Sequence, residues 1–197
     1  MMQHDPLAYV VMFDRGDGTR SYHGSSMFDG RTALCYYTSP FDALIDMARP
    51  FAVDRKFWIV PVREFTPGVV KAAGKAAVSC LQVAWRARSG SVLVRLDGSP
   101  DGVLSMSPEM ESGNTVRELP APLLRFSDAI HERAGLYARK ETVRAFGAWN
   151  GPRLHVMVSR AWRIPVVEVD HPDPDFDQFA VFDPEFQQWH SCPCPKS

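Results

Sequence analysis

The sequence predicts a single domain of the α+β class, with helices packed on one mainly antiparallel sheet. Short apolar runs of strand length follow one another through the first forty residues and recur from residue 56 onward. Asp-Gly, Ser-Gly and Pro-Gly pairs, which favour tight turns, separate several of these runs. Two further segments place apolar residues at helical spacing, so we expect helices beside the sheet.

The first forty residues predict three strands joined by turns. A continuous apolar run over residues 7–13 is typical of a buried strand. Residues 19–23 are predicted to form the second strand, antiparallel to the first, and residues 32–38 the third. Asp-Gly pairs stand in both connections, where they tolerate the positive φ of a tight turn. We therefore expect an antiparallel meander.

The next segment predicts an amphipathic helix. Ser39 is a suitable N-cap, Pro40 suits the first helical position, and Asp42 stands where a capping-box acid belongs. Pro50 ends the helix, since the residue before proline avoids the helical region. One face carries the apolar residues Phe41, Leu44, Ile45 and Ala48.

The rest of the chain predicts a second group of strands around a long helical region. The elements are a strand over residues 56–62, a hairpin of strands 76–87 and 91–96, a helical region over 123–149, and strands over 154–158, 164–169 and 179–182. Gly135 and Gly147 weaken the helical region, so it forms one long helix or two shorter ones. Residues from about 97 to 118 show little periodicity and predict a surface loop or insertion. We place the domain at residues 1–189 and a polar tail at 190–197.

Composition excludes several classes of partner. A formal net charge of −1 gives no positive field for nucleic acid, so we expect no nucleic-acid binding. No run approaches the roughly 20 apolar residues of a membrane span, and the N-terminus lacks the pattern of a secretory signal. Cys35 and Cys80 lie in apolar strand-like runs, which is typical of buried thiols in a reducing compartment. The predicted location is therefore the cytoplasm.

The C-terminal segment holds a small group of possible metal ligands. His190, Cys192 and Cys194 stand within five residues of one another. A structural zinc site takes four ligands, typically from paired knuckles, and no second cysteine pair exists. We therefore predict no metal site, and the role of these cysteines stays open.

Residues 21–25 read Ser-Tyr-His-Gly-Ser, and residues 36–39 read Tyr-Tyr-Thr-Ser before the capped helix. These two short motifs resemble those of ADP-ribosyltransferases, the enzymes that cleave nicotinamide from NAD. Residues 175–184 resemble the third motif of some toxin-type members. The segment between the first two motifs is too short for the helix that the family places there, so the spacing departs from the family pattern.

The resemblance implies roles for five residues and NAD as the cofactor. His23 would hold the cofactor, and Tyr36 or Tyr37 would stack on the nicotinamide. Asp177 or Gln178 would orient the ribose in place of the family's glutamate.

The leading hypothesis is a non-catalytic protein-interaction domain that needs no cofactor. The chain shows no complete catalytic set, and its strand-turn-strand and capped helix resemble small bacterial toxin-immunity and adaptor domains. An aromatic and acidic surface would bind the protein partner. Its candidate residues are Asp170, Asp173, Asp175, Asp177, Phe186 and Trp189. The oligomeric state is left open.

Overall fold

The computed structural model describes residues 8–14, 20–26, 32–47, 57–64, 78–96, 98–107, 110, 118–147, 151–163, 166–170 and 175–194. Its strands are β1 (Tyr9–Asp14), β2 (Arg20–Tyr22), β3 (Gly24–Ser26), β4 (Thr32–Tyr37), β5 (Phe57–Pro61), β6 (Val78–Arg88), β7 (Ser91–Arg95), β8 (Gly102–Ser105), β9 (Val166–Val169), β10 (Gln178–Asp183) and β11 (Gln188–Pro193). Its helices are α1 (Pro40–Met47), α2 (Ala121–Arg133), α3 (Arg139–Gly147) and α4 (Gly151–Ala161), with a 3-10 turn at Val62–Glu64.

These strands form one mostly antiparallel sheet, which confirms the predicted α+β class. Its main path runs β11-β10-β6-β4-β1-β2. The predicted meander is confirmed in part: β1 pairs antiparallel with β2, and β3 pairs antiparallel with β4. It differs in that β1 also pairs directly with β4, so β1 lies between β4 and β2. Parallel pairs join β4 to β6 and β7 to β9, since a long connection separates the members of each pair.

Strand β6 is the axis of the sheet because it has neighbours on both edges along its length. Residues 81–82 of β6 pair with β4 on one side and β8 on the other, and Trp85 pairs with both β10 and β8. Consequently β4 and β10 occupy successive stretches of the same edge. Strands β8 and β7 occupy the opposite edge.

A β-bulge in β6 changes which face of the sheet its side chains cover. Before the bulge, Leu81 packs in the cluster that contains residues of α2, whereas Val78 and Cys80 pack with α1. The pairing with β8 shifts between Gln82 and Ala84. Because one extra residue inverts the alternation of a strand, Trp85 then lies on the face covered by α1 and α4.

The segment predicted as a strand over residues 154–158 is helical. Pro152 belongs to the first turn of α4, where a missing N–H costs nothing, so Asn-Gly-Pro marks a helix start here and not a stop. Met157, Val158 and Ala161 are buried together at helical spacing. They pack against α1.

Two regions predicted to be peripheral belong to the sheet and its core. Residues of the predicted surface loop at 97–118 form β8, and Asp101 and Met110 are buried. The predicted polar tail at 190–197 begins inside β11, which pairs with β10 over its full length. Cys192 is buried in the core, so pairing and burial hold a segment that looks polar in sequence.

Candidate functional site

A crevice opens where two strands meet end to end along β6. Strand β4 runs parallel to β6 and places Tyr37 opposite Gln82, whereas β10 runs antiparallel and places Ala180 opposite Trp85. The C-terminal ends of β4 and β10 therefore point toward each other along the same edge of β6. Each chain turns away from β6 near the other, which leaves a gap between them. Divergence of adjacent chains is a common way to form a ligand pocket in a sheet.

The pocket at this crevice has a volume of about 150 Å³. It is lined by the start of α1, the junction between α2 and α3, and the turn after β10. The side chains that define its chemistry are Asp42, His131, Tyr137, Arg139, Glu185 and Phe186. No sequence motif pointed to this site, because its walls come from three distant segments.

The first wall is the N-terminus of α1. The Ser39 Oγ accepts the N–H of Phe41 at 3.0 Å and that of Asp42 at 3.4 Å, as the predicted cap requires. The Asp42 carboxylate lies 3.4 Å from the Arg139 guanidinium, which also donates to the hydroxyl of Thr38. Burial raises the pKa of Asp42, and Arg139 and Ser39 oppose that rise.

His131 forms the floor of the pocket and is only 4% exposed. Its Nδ1 donates to the Ser127 carbonyl at 2.8 Å. Burial, together with the charge of Arg139, lowers the pKa of His131 well below its usual value. The ring is therefore neutral near pH 7, and Nε2 is its hydrogen-bond acceptor.

Two exposed aromatic side chains flank the opening. Tyr137 is 81% exposed and follows Gly135, whose φ of +87° turns the chain between α2 and α3. Phe186 is 69% exposed at the tip of the β10–β11 turn. The Asp183 carboxylate holds that turn by accepting the N–H groups of Glu185 and Phe186 at 2.8 and 3.3 Å.

A second polar cluster contains two residues of the predicted ADP-ribosyltransferase site. The His23 Nε2 lies 3.2 Å from Asp46 Oδ2, and the Tyr37 hydroxyl donates to the same oxygen. Asp46 belongs to α1, and sequence reasoning did not single it out. The His23 ring also packs edge-on against Phe13 at 6.0 Å between centroids. The cluster ties α1 to the strands beneath it.

Burial and the shared carboxylate set the protonation of this cluster. Burial alone lowers the pKa of His23, but the hydrogen bond and charge of Asp46 outweigh it, and the net pKa is raised. Burial first, and then the charge of Asp46, raise the pKa of Tyr37 well above its usual value. At neutral pH Tyr37 is thus a neutral donor to Asp46.

The predicted ADP-ribosyltransferase residues lie in two separate regions. Gln178 pairs with Ala87 of β6, whereas Tyr37 pairs with Gln82 of the same strand. The two positions are about 17 Å apart along β6. Asp177 donates its backbone N–H to the Ala87 carbonyl and lies at the Gln178 end. His23 and Tyr37 therefore share a site that Asp177 and Gln178 do not join.

Tyr36 occupies neither region. It is buried, with its side chain in the core cluster that includes residues of α2. Its neighbour Tyr37 projects to the opposite face, as alternation along a strand requires. Only one of the two adjacent tyrosines therefore reaches the His23 cluster.

The predicted partner-binding residues are divided between surface and core. Asp170, Asp175 and Asp177 are exposed, and Asp173 lies outside the described residues. Trp189 packs against other aromatic rings and donates its indole N–H to the Ala161 carbonyl at 2.7 Å. Its role is thus mainly in packing, whereas Phe186 stands at the pocket.

The cysteines of the described strands are free thiols. Cys35 and Cys80 are paired across β4 and β6 with their sulfur atoms 3.6 Å apart. The hydrogen bond to Cys80, followed by burial, raises the pKa of Cys35 well above its usual value. A protonated, buried thiol is a poor nucleophile.

The described part of the chain shows no group of three or more His, Cys, Asp and Glu side chains able to hold a metal ion. Among the helices described, none has the length and apolar character that crossing a bilayer requires.

Comparison of the chain with protein-family models, curated proteins and solved structures finds no match.

Proposed function

We propose that this protein is a non-catalytic interaction domain, of bacterial immunity or adaptor type, that binds a protein partner at the pocket between Tyr137 and Phe186. The observation that carries the proposal is the pairing of a preformed cavity with two strongly exposed aromatic side chains at its opening. Aromatic side chains beside a pocket are typical of the residues that dominate binding energy in protein interfaces.

The surroundings of the pocket support a protein partner over nucleic acid. Three carboxylates, those of Asp42, Asp183 and Glu185, line it against one guanidinium, that of Arg139. A surface of this charge repels phosphate backbones and favours encounter with a basic partner. The four cysteines are all free thiols, which agrees with binding in the cytoplasm.

The test is site-specific crosslinking of the whole chain in cells of the source organism. A photoreactive amino acid at position 186 should give one dominant crosslinked protein, and Phe186→Ala should lower recovery of that protein from the wild-type chain by about tenfold or more. The matched control is Leu96, which is 65% exposed but lies away from the pocket. A photoreactive residue at 96 should not give that product, and Leu96→Ala should leave recovery unchanged.

Equal loss of recovery in the Phe186 and Leu96 variants would contradict the proposed face. Absence of any dominant crosslinked protein at position 186 would contradict the interaction function itself.

The ADP-ribosyltransferase alternative has less support. In its favour, His23 and Tyr37 meet at one carboxylate. Against it, the His23 imidazole is engaged with Asp46, and Gln178 uses its side-chain oxygen to accept the Gly90 N–H at 2.9 Å. Calorimetry with millimolar NAD separates the two functions: the alternative requires a binding heat that His23→Ala abolishes, and the interaction domain gives none.

A further inference from the structure

We infer that the pocket receives a protonated amine or guanidinium, the side-chain end of a lysine or arginine on the partner protein. This inference rests on the proposed interaction function and specifies what the partner presents. It follows from the hydrogen-bonding and charge character of the pocket wall.

The floor of the pocket offers an acceptor and not a donor. His131 uses its Nδ1 proton for the Ser127 carbonyl at 2.8 Å, which leaves the Nε2 lone pair on a neutral ring. The ring is 96% buried and lines the cavity, and burial keeps it neutral. A ligand that reaches this atom has to bring an N–H or O–H donor.

The groups that would attract an anion already have partners inside the protein. The Arg139 Nη2 donates to the Thr38 hydroxyl and lies 3.4 Å from the Asp42 carboxylate. The first N–H groups of α1 are bonded to the Ser39 hydroxyl. An anionic ligand would have to compete with the Asp42 carboxylate for Arg139, and it would also meet the carboxylates of Asp183 and Glu185.

The rim suits a cation with an aliphatic stem. Tyr137 and Phe186 present aromatic rings at the opening, and aromatic faces attract ammonium and guanidinium groups. Glu185 is exposed beside Phe186 and adds a negative charge at the same edge. A volume of about 150 Å³ accommodates one side chain and not a folded segment.

The binding test uses amino-acid probes, so it does not depend on knowing the partner. Nα-acetyl-lysine methylamide and Nα-acetyl-arginine methylamide are titrated into the isotope-labelled chain, and backbone amide shifts are followed by NMR. We expect saturable shifts at the junction of α2 and α3 and at the turn after β10. The neutral Nε-acetylated lysine probe should bind about tenfold more weakly, because the charge is gone.

A pair of charge-neutralising variants assigns the binding to the pocket. Glu185→Gln should weaken the lysine probe about threefold, the range of an exposed ion pair. Glu168→Gln removes the same charge from an exposed position of β9 and should leave binding unchanged. Both side chains are exposed, so both variants should fold.

Equal binding of the charged and the Nε-acetylated probe would overturn the inference in favour of an apolar anchor. Shifts with inorganic phosphate at the same amides, without shifts from the cations, would overturn it in favour of an anion. No shifts with any probe would also overturn it. In all three cases crosslinking at position 186 decides separately whether the interaction function stands.

Discussion

At the scale of single residues, two carboxylates of this protein each interact with two other side chains. The Asp46 carboxylate accepts from both His23 and Tyr37. Asp101, only 1% exposed, lies 3.0 Å from Arg86 and 3.4 Å from Arg95. A buried carboxylate with two donors is far less costly than one with none, so these residues are kept in place by their neighbours.

The His23–Asp46 pair predicts a pH-dependent contribution to stability. The pKa of His23 is raised in the folded protein, so its contribution is complete below the unfolded value of 6.5 and is lost as the pH rises through the folded pKa. His23→Gln should lower the free energy of unfolding by about 1 kcal/mol at pH 6 and by less at pH 9. Urea titrations of both proteins between pH 5.5 and about 9 measure this difference.

The control for that experiment has to account for the titration of His131 and for the hydrogen bond of Tyr37 to Asp46. His131 has a lowered pKa, so its contribution is present above pH 6.5 and is lost as the pH falls, which is opposite to His23. The comparison is therefore the difference between wild type and variant at each pH. Tyr37→Phe should cost stability without changing the slope between pH 6 and 8, and a constant His23→Gln difference across the range would contradict the ion pair.

At the scale of elements, short turns determine where the pocket side chains stand. The Leu136 N–H bonds to the His131 carbonyl at 2.8 Å, and the Gly135 N–H bonds to Glu132 at 2.9 Å. These bonds close the C-terminus of α2 and require Gly135 at φ +87°. The same turn that ends the helix therefore places Tyr137 at the rim.

Gly135→Ala tests this element. A Cβ at this position meets nothing within 4 Å, so the cost is that of the backbone conformation, about 1 kcal/mol in denaturant titration. Gly90, at φ +78° in the β6–β7 turn and also in open space, provides the control. Both variants should lose similar stability, but only Gly135→Ala should weaken binding of the lysine probe. Equal effects of the two on probe binding would show that the turn does not position Tyr137.

At the scale of the whole molecule, β6 joins the two faces of the protein. The bulge between Gln82 and Ala84 moves its odd-numbered side chains from the face that packs with α2, at Leu81, to the face that packs with α1 and α4, at Trp85. Strands β4 and β10 meet along its edge, and the gap between them brings residues from α1 and α2 into one pocket. The site thus depends on the assembly of the complete sheet.

The C-terminal strand is the element to remove in a test of that dependence. A chain that ends at residue 189 loses most of β11 and the buried Cys192. It should lose about 3 kcal/mol or more of stability and its cooperative unfolding transition. A chain that ends at residue 194 keeps all of β11 and should unfold as the wild type does. Identical melting curves for both truncations would mean that residues 190–194 are indeed a tail.

Sequence patterns determined the elements whose signals are local. Ser39 and Pro40 start α1 as their capping chemistry requires, Gly135 divides the helical region into two, and Ser89-Gly90 turns the β6–β7 hairpin. The α+β class follows from the alternation and spacing of apolar residues. Phe186 was also singled out from sequence as a contact residue, and it lies at the pocket.

Tertiary structure alone decided the elements and contacts that depend on distant partners. Asn-Gly-Pro at 150–152 fits a stop as well as a start, and only packing of Met157 and Val158 against α1 selects the helix. Residues 188–193 look polar, but β10 supplies their hydrogen bonds. The pocket gathers Asp42, His131 and Glu185 from segments far apart in the chain. No local sequence pattern predicts that these three residues lie together, because their positions depend on the register with which β4 and β10 pair with β6.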